Sequence, residues 1–149
     1  MNNTGGTKNG VRFAAKYGPW ALVTGAAQGL GAAFAEAIAS RGLNVILVDM
    51  QRERVSEQAL AVQRNFGVAT VAVVADLSRR DFMVALRAET QGLEIGLLVC
   101  NAGIGRQGVF LEQDAAAMLM EIDVNCAAPL LLTHGFGREM AARGRGGII

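Results

Sequence analysis

The stretch WALVTGAAQGLG, Trp20–Gly31, restricts the fold more than any other part of the chain. Five apolar or β-branched residues run without a break into a loop holding three glycines, and a helical pattern starts inside that loop. A run apolar on every position must be buried on both faces, which places it inside a parallel sheet covered by helices. The same order repeats downstream, so the expected architecture is α/β rather than a bundle or a sandwich.

The other elements follow from spacing. NVILV (Asn44–Val48), VATVAVVA (Val68–Ala75) and IGLLVC (Ile95–Cys100) read as the second, third and fourth strands. The third is continuous and β-branched, so both of its faces are expected to be buried. Leu30, Ala33, Phe34, Ala37 and Ile38 recur at helical spacing, and Gly42 stands where a helix C-terminal glycine belongs. Val55, Ala59, Val62 and Phe66 form one face of the next helix, which ends at Gly67. Ser78 with Asp81 resembles a capping box opening a third helix that carries Phe82, Ala85 and Leu86. A long helical stretch runs from about Gln113 to Ala142 with a kink near Pro129, and GII at the end reads as the start of a fifth strand. Right-handed crossovers then give a doubly wound parallel sheet of Rossmann type, with helices on both faces. Residues 1–12 read as a flexible tail and 13–149 as a single nucleotide-binding domain.

Composition excludes several classes of function. The formal net charge is +1 and the arginines are interleaved with acids, so no basic stripe for nucleic acid exists. His134 is the one histidine, and no metal site is expected. Cys100 and Cys126 are far apart in apolar or helical surroundings, which argues for unpaired thiols and a cytoplasmic setting; Cys126 is expected to be buried packing. No apolar run reaches membrane-spanning length on this reading, and no membrane partner is expected.

The chemistry concentrates in Thr24, Gly25, Ala27, Gln28, Gly29, Leu30 and Gly31. A strand, a glycine loop and a helix start bring free backbone N–H groups and the positive end of a helix dipole to one point, which suits a pyrophosphate. Gly25 permits the turn, Gly29 lets phosphates approach, and Gly31 lets the helix lie close to the strand. No Lys-Ser or Lys-Thr pair follows, so a Walker loop is excluded. Asp49 ends the second strand, where a dinucleotide site needs an acceptor for ribose hydroxyls. A carboxylate there favours NAD over NADP, although Arg52 and Arg54 nearby soften the rejection of a 2′-phosphate. The plainer reading, Asp49 as a cap for the following helix, stays open.

With these residues in place, the chain resembles the short-chain dehydrogenase/reductase family from about Tyr17 to Ile149. Thr24–Gly31 matches the family's TGxxxGxG, and Asp49 its acidic position. Asp76 and Leu77 stand where the family contacts adenine. Asn101, Ala102 and Gly103 match its NNAG motif, with Cys100 replacing the first Asn, and Asn125 falls in DVN on the long helix. The resemblance implies a nicotinamide cofactor, hydride transfer to or from a small alcohol or carbonyl compound, and a role for Asn125 in the catalytic tetrad. It also implies strand order 3-2-1-4-5-6-7 and a homo-oligomer formed through the long helix. An unrelated Rossmann-type enzyme such as a methyltransferase does not explain Asn101–Gly103 or Asn125.

The family's catalytic Ser, Tyr and Lys have no match here. Tyr17 is the one tyrosine and is followed four residues later by Ala21; the lysines are Lys8 and Lys16; the serines are Ser40, Ser56 and Ser78. The chain is therefore expected to be cut at the start of the fifth strand, to leave the fourth strand as a bare edge, and to be inactive alone. The competing expectation is a non-enzymatic dinucleotide-binding or interaction module.

Overall fold

The structure, a computed structural model, describes residues 8–149. Residues 1–7 of the expected tail lie outside the described residues, and from Lys8 the chain is helical. Its elements are α1 (Lys8–Tyr17), β1 (Trp20–Thr24), α2 (Gly29–Ala39), β2 (Asn44–Asp49), α3 (Arg52–Phe66), β3 (Thr70–Val74), α4 (Phe82–Glu89), β4 (Ile95–Val99), α5 (Ala115–Ile122), α6 (Ala128–Arg143) and β5 (Gly147–Ile148). A 3₁₀ turn at Phe110–Glu112 precedes α5, and a π-helical segment at Asp123–Ala127 joins α5 to α6.

The five strands form one parallel sheet in the order β3-β2-β1-β4-β5. The chain winds outward from β1 to β3, returns to the other side of β1 with β4, and winds outward again. The reversal between β1 and β4 is where open α/β sheets leave a crevice beyond their carboxyl ends. The run WALVT divides by strand alternation: Ala21 and Val23 pack with α1, α2 and α3, while Leu22 packs with α4 and α6 on the opposite face. Both faces are covered, as the unbroken apolar pattern requires.

Several expectations change. β3 is an edge strand, and of Thr70–Val74 only Val73 is fully buried; composition reports apolarity, but strand order decides how much cover a strand receives. On α2 the buried face is Gly31, Ala35, Ile38 and Ala39, while Leu30, Ala33 and Ala37 point outward. Small side chains let this helix sit close to the sheet, and hydrophobicity alone does not reveal that preference. Ala85 is likewise exposed on α4, and Phe66 at the end of α3 is only partly covered, at 37% exposure. The Ser78–Asp81 capping box does not form. Ser78 donates from its amide (3.0 Å) and its hydroxyl (2.7 Å) to Asp76, and Asp81 pairs with Arg79. β4 is not a bare edge at its carboxyl end, because β5 pairs with it at Leu97 and Leu98 and Ile149 extends the ladder to Cys100.

The break in the long helix comes from the π-helical turn, with Pro129 seated in the first turn of α6. Proline tolerates that position because the amide it lacks would have no partner there. Taken together, Ala115–Arg143 spans 29 residues and contains an 18-residue window of mean hydropathy 1.5, long and apolar enough to cross a membrane by length and composition. The sequence reading missed this because Asp123 and the glycines interrupt the apolar runs. In the fold, Ala128, Leu132, Phe136 and Met140 of this helix pack on the sheet, while Leu119, Ile122 and Leu130 are exposed. Arg87 of α4 braces α6 by lying over the Phe136 ring at 4.0 Å and pairing with Glu139 at 2.6 Å.

Candidate dinucleotide site

Thr24 is buried at the carboxyl end of β1, and its hydroxyl joins the two windings of the sheet. It accepts from the Asn101 amide at 3.1 Å and the Ala102 amide at 3.0 Å, and donates to the Val99 carbonyl at 3.3 Å. The Asn101 side chain returns the link, donating to the carbonyls of Thr24 (3.0 Å) and Gly25 (3.3 Å). The glycine loop and the loop after β4 are thereby fastened together. Thr24→Val keeps shape and β propensity but leaves two amides without their acceptor. About 2 kcal/mol should be lost at roughly 1 kcal/mol or more for each unmade bond, read as a lower denaturation midpoint at unchanged slope.

Beyond Thr24, Gly25 takes φ 64° and turns the chain so that the Ala26 amide donates to the Val48 carbonyl. Gln28 is the N-cap of α2 in extended conformation, with no side-chain cap on the helix. The opening amides of α2 have no intrahelical acceptor and point where an anion would sit. A Cβ built on Gly29 meets nothing within 4 Å, so open space lies over this turn. At Gly31 a Cβ would collide with the Gly25 carbonyl. Gly31 is thus required by close packing, and the turn at Gly29 is open, the position at which the sequence reading expects phosphates to approach.

Asp49 does two things. One carboxylate oxygen accepts from the Ala27 amide at 3.1 Å, and the other accepts from the Gln51 amide at 3.0 Å. The first bond fixes the glycine loop against β2. The second is a turn bond to the amide of the N-cap residue of α3 and not a cap on the helix itself. Arg54 reaches from α3 to the Gln28 side-chain oxygen at 2.6 Å.

These groups border a cleft of about 440 Å³. It brings together Gly25, Gln28, Gly29, Asp49, Leu77, Asn101, Ala102 and Gly103 from the expected set. Thr24, Ala27 and Gly31 support its walls from behind, and Leu30 is exposed on α2. Asp76 does not line it, because its carboxylate is turned toward Ser78. Asn125 is exposed and also outside the lining. Its side-chain oxygen accepts from the Ile104 amide at 2.9 Å and its nitrogen donates to the Ile104 carbonyl at 2.7 Å. That reciprocal pair fastens the loop after β4 to the π-helical turn. The cleft also takes in Met50, Gln51, Ala75, Ile104 and Val124. Each adjoins, within one or two positions, a residue the sequence did mark, and none has a side chain whose chemistry would single it out.

Cys100, in place of the first Asn of the NNAG motif, is half-buried near Thr133 of α6. Burial pushes its thiol above the ordinary cysteine range, and the nearby Thr133 hydroxyl only partly offsets it. Cys126 is exposed rather than buried, because the π-helical turn rotates it away from the sheet.

A family model described as short chain dehydrogenase matches residues 19–149. The chain belongs to that family. It is 34% identical over 137 residues to inactive hydroxysteroid dehydrogenase-like protein 1 of Homo sapiens, covering 90% of this chain and 42% of the relative. It is also 34% identical over 134 residues to the 7beta-hydroxysteroid dehydrogenase of Collinsella aerofaciens, covering 90% and 51%. The solved short-chain dehydrogenase from Sphingobium yanoikuyae in complex with NADPH superposes with a TM-score of 0.82 at 33% identity, over 87% of this chain and 51% of that one. The chain spans about half the length of the relatives it matches. Where a cofactor is stated for solved relatives it is NADPH or NADP, which does not support the expected preference for NAD.

Proposed function

We propose that this chain forms the dinucleotide-binding part of a short-chain oxidoreductase that transfers a hydride between a nicotinamide cofactor and an alcohol or carbonyl compound. The observation that carries this is the cleft at the β1/β4 reversal, where the uncapped start of α2, the open space over Gly29 and the Asp49 carboxylate converge. In this reading the α2 amides hold the pyrophosphate, and Asp49 takes the adenosine ribose hydroxyls with lone pairs left after the Ala27 and Gln51 bonds. Leu77 borders the adenine, and Asn101–Gly103 border the nicotinamide ribose. The bound nicotinamide supplies the two-electron acceptor or donor. Asn125 acts through its grip on Ile104, holding the loop beside the reacting ring. Residues 1–149 contain no Tyr-x-x-x-Lys, so these residues alone are expected to bind cofactor without turning over substrate.

The carboxylate at Asp49 favours NAD. Calorimetric titration of NAD and NADP, with Asp49→Ala as the comparison, tests both levels of the reading. NAD affinity should fall about tenfold in the variant, the size of a lost charge-assisted hydrogen bond to ribose, while NADP affinity holds or rises. Failure of either dinucleotide to bind the unaltered chain would refute the site itself. A second reading, a binding module without catalysis, draws on the relatives named inactive. The exposed Leu119, Ile122 and Leu130 support pairing of two copies through α5 and α6.

A further inference from the structure

Three consecutive residues of the π-helical turn serve three different places. Asp123 reaches to Arg80, which donates to its Oδ1 from Nε at 3.1 Å and from a terminal nitrogen at 3.0 Å. Val124 is buried and borders the cleft. Asn125 grips both backbone groups of Ile104, which borders the cleft as well. Successive side chains of an α-helix diverge by about 100°, and a π-turn also splays its neighbours, so one short segment addresses three surroundings at once.

The ion pair joins this turn to the loop between β3 and α4, where Leu77 borders the same cleft. From Asp76 to Asp81 that loop is tied by side-chain bonds among its own residues, Ser78 with Asp76 and Arg79 with Asp81. Among the described residues, Arg80 makes the only side-chain hydrogen bonds that leave it, across 43 positions of sequence. The Asp123 side chain is 24% exposed and that of Arg80 77%, so the acid sits in the turn and the arginine lies over it from solvent. Asp123 is both the C-cap of α5 and the first residue of the π-turn, so a pull on its side chain acts on the turn itself. Both bonds are charge-assisted, and a partly shielded carboxylate is screened less by salt than a fully exposed one.

Resting on the cofactor reading above, we propose that Asp123, held by Arg80, is a positioning residue: the ion pair sets the π-turn so that Asn125 keeps Ile104 in place at the nicotinamide end of the cleft. The lip at Leu77 and the lip at Ile104 are then joined through one turn. This link is separate from the Thr24 bonds. Thr24 holds the start of the loop after β4 at Asn101 and Ala102, and Asn125 holds it further on, at Ile104.

The test follows amide hydrogen exchange by NMR in the chain and in Arg80→Ala, Asp123→Ala, Asp123→Asn and the double alanine variant, and titrates NAD and ADP into each. Arg80 lies at the surface, so its replacement leaves the core intact. In Arg80→Ala the Ile104 amide should exchange about threefold to fivefold faster and NAD should bind weaker by the same factor, the scale of one partly exposed ion pair. The Asn101 and Ala102 amides should be unchanged. ADP does not reach the nicotinamide end and should weaken by less than about twofold. Asp123→Asn keeps an oxygen for Arg80 and should fall between the parent and Asp123→Ala. The double variant should be no worse than either single one, because the two residues act as a pair. An unchanged Ile104 amide, or equally faster exchange at Asn101 and Ala102, would overturn the assignment, as would equal losses for NAD and ADP. If the unaltered chain binds neither ligand, the cofactor reading fails, and the Ile104 exchange rates still decide whether Arg80 and Asp123 position the turn.

Discussion

Gly31→Ala should lower stability by about 3 kcal/mol or more and weaken dinucleotide binding at least tenfold, although alanine is the better helix former by roughly 1 kcal/mol. The sign is decided by distance. A Cβ at this position would lie 2.6 Å from the Asn101 side-chain nitrogen and closer still to the Gly25 carbonyl oxygen. Backbone cannot swing aside as a long side chain does. Relief requires α2 to lift from β1, which moves the opening amides of α2, proposed above to hold the pyrophosphate, and strains the bonds Asn101 makes to Thr24 and Gly25. Gly29→Ala is the control. It has a positive φ of 60° but nothing within 4 Å, so only a strain of about 1 kcal/mol is expected. Denaturant midpoints of the two variants should separate cleanly. A Gly31→Ala protein as stable as the parent would mean that α2 does not lie where the structure has it.

The second large effect is expected at Gly96, in β4. Its missing side chain is the seat of α1. A Cβ would stand 2.5 Å from the Tyr17 carbonyl carbon, closer to its oxygen, and 3.3 Å from the Gly18 amide. Alanine would suit a strand better by roughly 0.5–1 kcal/mol, which is too little to offset a backbone collision. Gly96→Ala should therefore undock α1, exposing the sheet face now covered by Phe13, Ala14 and Tyr17, at about 3 kcal/mol. Because α1 is the outermost element of that face, the sheet should persist while α1 opens. Trypsin cleavage at Lys16 should speed up markedly, with hydrogen exchange in β1 and β2 little changed. Equal trypsin resistance in parent and variant would refute the docking.

Where the sequence was legible, one local pattern sufficed. β1 is recovered residue for residue, and β2 and β4 to within one, because central strands of a parallel sheet are apolar on both faces and display it. Gly42 and Gly67 mark helix ends with positive φ, a backbone requirement that glycine meets openly. The residues that border the cleft were legible for the same reason: turn, helix start and strand-end carboxylate occupy fixed places relative to one another. Decisions made at long range stayed hidden. The strand order implied by the resemblance already put β3 at an edge, but its apolar, β-branched composition hid how little cover it receives, and that α2 buries Ala35 instead of Ala33 depends on which small face the sheet needs. Asp76 and Asp81 each had two acceptable partners nearby, and the ones chosen were Ser78 and Arg79. The π-helical turn was masked by Pro129, a more familiar cause of a bend. Arg54 was noted only as a nearby cation, since nothing in its spacing points to Gln28, 26 positions earlier.

One hydroxyl, that of Thr24, sets how this cleft can respond to a visitor. Because it stitches the loop of the first winding to the loop of the second, the two lips cannot drift independently. On the reading proposed above, a dinucleotide meets a mould already cast, and little of its contact energy is spent on freezing loose chain. Sequence changes at the lips can then alter which guest is preferred without first having to rebuild the frame that receives it.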